Sequence, residues 1–212
     1  MKRGDGRRRR QGFSVVELLV VVSIMAMLAT PSLVSLAFRR GQDFTKEVYD
    51  LQGMLALART TAMAKNTFVW AGLGHGLVNG QESLMVVAYS SQNGLNDTAT
   101  VGNLAPVMKR QILPGVAMKQ VSTSLAGLAV AATDLSQTTS NWSLPLQNVG
   151  GTPITVDQAI LFSPTGEAFV TASPLSYIQI GLQPLNGTLA DGKNLAALQI
   201  SGITSQTQVF RN

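Results

Sequence analysis

Glu17 is the one charge in a 26-residue stretch, Phe13 to Phe38. It stands five residues past Gly12, and the basic run Arg7–Arg10 comes just before. A carboxylate at the centre of an apolar helix costs roughly 2.5 kcal/mol or more on insertion scales. It therefore calls for a cationic partner. Other reactive chemistry is sparse. The chain has no cysteine and one histidine, His75, which excludes thiolate metal sites, thiol nucleophiles and the common zinc sites. A Ser-His-Asp arrangement would have to recruit His75 from the Gly72–Gly80 segment, and no nucleophile elbow is in view. That segment also lacks the Lys-Ser/Thr of a phosphate loop. The reading is a protein that is not an enzyme, with no catalytic residue, cofactor or metal.

The formal charge of +5 is local. Residues 1–12 hold six of the 16 basic residues and one of the 11 acidic ones, so the remaining 200 residues carry ten of each. That balance argues against a nucleic-acid surface. The basic leader reads instead as a positive-inside anchor that holds the N-terminus in the cytoplasm.

The elements arise from the patterning. A helix over 13–38 is about 39 Å long at 1.5 Å per residue, more than the ~30 Å hydrocarbon core of a bilayer. Its apolar residues include Val15, Leu18, Leu19, Val20, Val21, Val22, Ile24 and Leu28, and Pro31 predicts a kink. Over 39–66 the pattern becomes amphipathic. Phe44, Val48, Leu51, Leu55, Ala58 and Ala62 fall on one helical face, and Lys46 and Asp50 form an i,i+4 pair off it. Asn66 is the predicted stop.

From 67 to 212 the signals are β. Thr67–Leu73 and Ser83–Ser90 flank a Gly-rich turn, Gly74–Gln81, which would place His75 in a loop. Val107–Ile112 and Val116–Val121 flank Leu113-Pro114-Gly115, and Ala159–Ser163 and Glu167–Ala172 flank Pro164-Thr165-Gly166. Ser176–Leu182, Leu195–Ser201 and Ile203–Phe210 complete the set. The expected fold is α+β, a long helix packed on an antiparallel β head of two sheets, with inserts near 91–103 and 122–151. Trp70 reads as core. Trp142, in the second insert, reads either as a contact residue or as a local packing anchor.

The string GFSVVELLVVVSIMAMLA, after its basic leader, resembles the class III signal of type IV prepilins and type II secretion pseudopilins. The resemblance implies that a prepilin peptidase cuts between Gly12 and Phe13 and N-methylates Phe13. It also implies that Glu17 is the assembly carboxylate, paired with the Phe13 amine of an adjacent subunit. Pro31 falls slightly earlier than the helix proline common in major pilins. A softer likeness joins Leu55–Ala62, the Ile160–Gly166 hairpin and the terminal pair Leu198–Gly202 with Gln208–Phe210 to the H-type minor pseudopilins and related minor pilins. That likeness implies a scarce subunit that initiates, primes or tips a type IV pilus or type II secretion pseudopilus. Its partners would be other pilin or pseudopilin subunits and an inner-membrane assembly platform. It would cross the bacterial inner membrane once, with the N-terminus cytoplasmic and the head periplasmic.

Two readings compete. One is a ligand- or DNA-binding minor pilin of an uptake or adhesive filament, which clustering of Lys109, Arg110 and Lys119 on one exposed face would favour. The other is a secreted soluble β-domain cut after Ala37, where Ser35-Leu36-Ala37 offers small residues at the offsets a signal peptidase needs.

Overall fold

Apolar residues every three or four positions and an asparagine stop shape the first element. In the computed structural model, helix α1 spans Val15–Lys65. The structure describes residues 14–78, 80–96, 103–121, 132–138, 158–171, 175–186 and 194–211, with shorter stretches between 125 and 156 and at 189–190; over 26–42 only the backbone is described. The chain divides into two units, Met1–Asp43 and Phe44–Asn212.

In the second unit α1 buries Phe44, Val48, Leu51, Leu55, Ala58 and Ala62, the face read from the spacing. Lys46 Nζ donates to Asp50 Oδ2 at 2.7 Å on the solvent side. The helix ends at Asn66, whose φ of 49° is left-handed. The Asn66 N–H bonds Met63 O at 3.3 Å and the Thr67 N–H bonds Ala62 O at 3.1 Å. These two bonds satisfy carbonyls that a helix end would otherwise leave open, and asparagine tolerates the conformation they need.

The strands after the helix are β1 (Val69–Val78), β2 (Gln81–Ser91), β3 (Leu104–Pro106), β4 (Gln111–Pro114), β5 (Val116–Lys119), β6 (Ala132–Asp134), β7 (Gln147–Val149), β8 (Thr152–Ile154), β9 (Gln158–Phe162), β10 (Ala168–Phe169), β11 (Tyr177–Asn186), β12 (Leu189–Ala190), β13 (Ala196–Ser201) and β14 (Thr207–Arg211). The first sheet runs β10-β9-β1-β2-β3, with β4 also on β2. The second runs β12-β11-β13-β14, with β5 and β6 both on β11. Strands β7 and β8 form a separate pair. Among the described pairings only β6–β11 is parallel.

Alternation decides which residues meet. Val69, Ala71 and Leu73 of β1 join the buried face of α1 and the inward residues of the second sheet, Ile178, Ile180, Leu198 and Ile200, in one core. The opposite face of the first sheet carries Trp70, Met85 and Val87, and is covered by Leu144, Ile154 and Val156 in a second core. The first sheet is thus apolar on both faces, as the unbroken run Leu84–Ala88 suggests.

Two sequence expectations are corrected. The Gly74–Gln81 segment is not a loop: Gly74 to Val78 continue β1, and His75 lies opposite Leu84 of β2. Gly72, Gly74 and Gly76 alternate onto the face covered by Leu144, Ile154, Thr155 and Val156. A Cβ on Gly76 would lie 2.6 Å from Ile154 Cγ1, and one on Gly72 or Gly74 would overlap Leu144 or the Thr155 carbonyl. Here glycine marks close approach rather than a turn. Next, the strands around Leu113-Pro114-Gly115 do not pair with each other. Strand β4 pairs with β2 and β5 with β11, so the chain changes sheets at Gly115, whose φ is +67°. Among its described residues, the 122–151 insert supplies β6, β7 and the buried Leu135 and Leu144.

Candidate functional site

The site read from the sequence starts at the first turn of α1. Ser14 precedes the helix, and its carbonyl accepts the first helical bond, from Leu18 N–H at 3.1 Å. Its hydroxyl oxygen accepts from Val16 N–H at 3.3 Å. In return the Ser14 N–H donates to Glu17 Oε2 at 3.4 Å. This is a variant of the capping box: the acid three residues on caps the Ser14 N–H, while the serine hydroxyl caps Val16 rather than the Glu17 N–H. The spacing Ser-x-x-Glu is its signal in the sequence, overshadowed there by the carboxylate's place in the apolar run. Both residues lie beyond the expected cut, so the box belongs to precursor and mature chain alike.

Around it the surface is apolar. Val15, Leu18, Leu19, Val20, Val21, Val22 and Ile24 are between 46 and 82 % exposed, and Glu17 is exposed among them. The Ser23 hydroxyl is satisfied within the helix, by Leu19 O at 2.8 Å. So many neighbouring apolar side chains open to solvent mark a surface meant for lipid or for other subunits. Gly12 and Phe13 lie outside the described residues, as do the side chains of Leu28 and Pro31. Among the described residues no helix is long and apolar enough to cross a membrane. The expected span over 13–38 lies only in part among them, since Phe13 and the side chains of 26–38 lie outside the described residues.

The remaining candidates are scattered. His75 is half-buried within β1. Lys109 and Arg110 line a shallow cleft with Tyr89, while Lys119 sits on β5 of the other sheet, outside that cleft. Trp70 is fully buried. Trp142 is half-buried beside a cleft it shares with Phe68 and Phe169, a grouping that no spacing in the chain reveals. Arg211 is engaged within the head. Its guanidinium lies 5.4 Å from the Phe44 ring centre and donates to Thr45 Oγ1 at 2.6 Å and Asn194 Oδ1 at 3.3 Å.

Residues 7–33 match the family model described as the prokaryotic N-terminal methylation motif. The motif supports a type IV pilin-like family and implies a pilin or pseudopilin precursor that is cleaved and N-methylated. It implies processing by a prepilin peptidase, assembly with other pilins, and a membrane-anchored N-terminus. No curated protein and no solved structure is significantly similar to the chain.

Proposed function

We propose that this chain is a minor pilin or pseudopilin. It is a structural subunit, not an enzyme, and it initiates, primes or tips a type IV pilus or type II secretion pseudopilus. The peptidase cuts between Gly12 and Phe13 and methylates Phe13. Until assembly the subunit waits in the bacterial inner membrane as a single-pass protein, its N-terminus cytoplasmic and its head periplasmic. The apolar half of the helix serves lipid and then the filament, and the amphipathic half serves the head. An inner-membrane platform extracts the subunit as Glu17 meets the Phe13 amine of a neighbour. Pairing removes much of the penalty that either charge would carry alone in an apolar setting. The observation that carries this reading is the methylation motif over residues 7–33, with Glu17 set among exposed apolar side chains.

The test is intact mass and N-terminal peptide mapping of the protein taken from membranes of its own host. The expected start is N-methylated Phe13, lost when Gly12 is replaced by aspartate. A start at Phe38 would sink the reading and leave a secreted domain cut after Ala37.

A further inference from the structure

We propose that the head carries a binding site for a neutral hexose unit of a glycan, in the cleft between the β9–β10 turn and Trp142. The cleft encloses about 410 Å³, within the usual range for small-molecule sites. Phe68, Trp142 and Phe169 line it. All three rings are half-buried and pack from behind against the second core, so each keeps a fixed position with part of its surface open. Leu161, from β9, also lines it.

The other wall is polar and already oriented. Thr165 Oγ1 donates to Glu167 Oε2 at 2.9 Å. Since a hydroxyl has one proton, the 2.7 Å contact between Ser163 Oγ and Thr165 Oγ1 must run from Ser163 to Thr165. Ser163 Oγ in turn accepts from the Glu167 N–H at 3.0 Å. This closed relay fixes the Glu167 carboxylate and leaves Oε1 with no hydrogen bond among the described residues. Asn96 adds an exposed amide at the rim.

The chemistry selects the ligand class. Among the described residues Glu167 is the only ionisable one lining the cleft, so phosphates, uronates and nucleic acid are repelled. A pyranose has a face of C–H groups, which suits an aromatic surface, and a rim of hydroxyls. Those hydroxyls would donate to Glu167 Oε1 and exchange hydrogen bonds with Asn96. An aromatic wall facing a few fixed polar groups is the general form of such a site. The inference goes beyond the assembly role and does not depend on how the N-terminus is processed.

The chain has a convenient reporter. Of its two tryptophans Trp70 is fully buried, so Trp142 is the one a ligand can touch directly. The full chain in mild detergent would be titrated with cellotetraose, with the N-acetylglucosamine tetramer, and with a tetragalacturonate as the anionic control. The expected result is a saturable emission change with at least one neutral tetramer and none with the uronate. Calorimetric affinity for that tetramer should fall at least tenfold in Trp142→Ala and in Thr165→Val. Thr165 is exposed in a turn, so its variant tests the relay without endangering the fold. No response to either neutral tetramer, an equal response to the uronate, or undiminished affinity in both variants would overturn the proposal. The last outcome, or a Trp142 emission that answers only to a copurified pilin subunit, would make the cleft a seat for protein instead.

Discussion

Glu17 has two physical roles open to it, and one substitution separates them. As the third helical residue it caps the Ser14 N–H; as a charge among apolar side chains it calls for a cation. Glutamine keeps the first role and loses the second. We expect Glu17→Gln to be cleaved and methylated normally, with the first turn of the helix intact. Its incorporation into filaments, read as the ratio of sheared to membrane-bound subunit, should fall by tenfold or more. Incorporation at the level of the unsubstituted chain would reduce Glu17 to a cap. Arg211 is the second informative residue. Arg211→Ala removes the contact with Phe44 and the bonds to Thr45 and Asn194. Urea unfolding should show a loss of about 1–2 kcal/mol, only partly restored by lysine, which lacks the planar fork. The carboxylate's importance was legible in the sequence, because a lone charge in an apolar run is a local signal. The role of Arg211 was not, since its partners lie far away in the chain.

Helix and strand tell different stories about local and distant causes. The stripe Phe44 to Ala62 arises from spacing alone, and its burial answers that pattern. Leu51→Ala, at a fully buried position, should cost about 2–5 kcal/mol by chemical denaturation. The pair on the outer side of the helix is weaker. The Asp50 carboxylate, then Glu47, holds the Lys46 ammonium above the usual lysine range. Its contribution is therefore present throughout neutral pH and lost only as pH rises past that range. Asp50→Asn should leave the pH profile of melting between pH 6 and 9 unchanged in shape. In β1, by contrast, a row of glycines resembles a turn until its covering segment is seen. Gly74→Val would drive a side chain into the Thr155 carbonyl, and overpacking of this kind costs about 1–3 kcal/mol or more. The melting temperature of Gly74→Val should fall well below that of Gly80→Ala. Gly80 has open space around it, though its φ of +77° makes that change mildly unfavourable too.

At the scale of the molecule, the basic leader, the carboxylate and the exposed apolar turns lie at one end of the sequence, and the formally neutral remainder comes after them. Full-length protein made without detergent or membrane should self-associate through residues 15–25, and added detergent should disperse it in a sedimentation experiment. The N-terminal motif, the buried face of α1, its stop at Asn66 and the hairpin around Pro164-Thr165-Gly166 were determined by the sequence itself. Each depends on residues within about one or two turns of chain, where spacing and backbone preference suffice. The tertiary structure alone decided that the glycine row is a strand, that Gly115 carries the chain from one sheet to the other, and that Trp142 joins Phe68 and Phe169 at a cleft. Those outcomes depend on which distant segment covers a given face, and side-chain alternation along a single strand does not encode that partner.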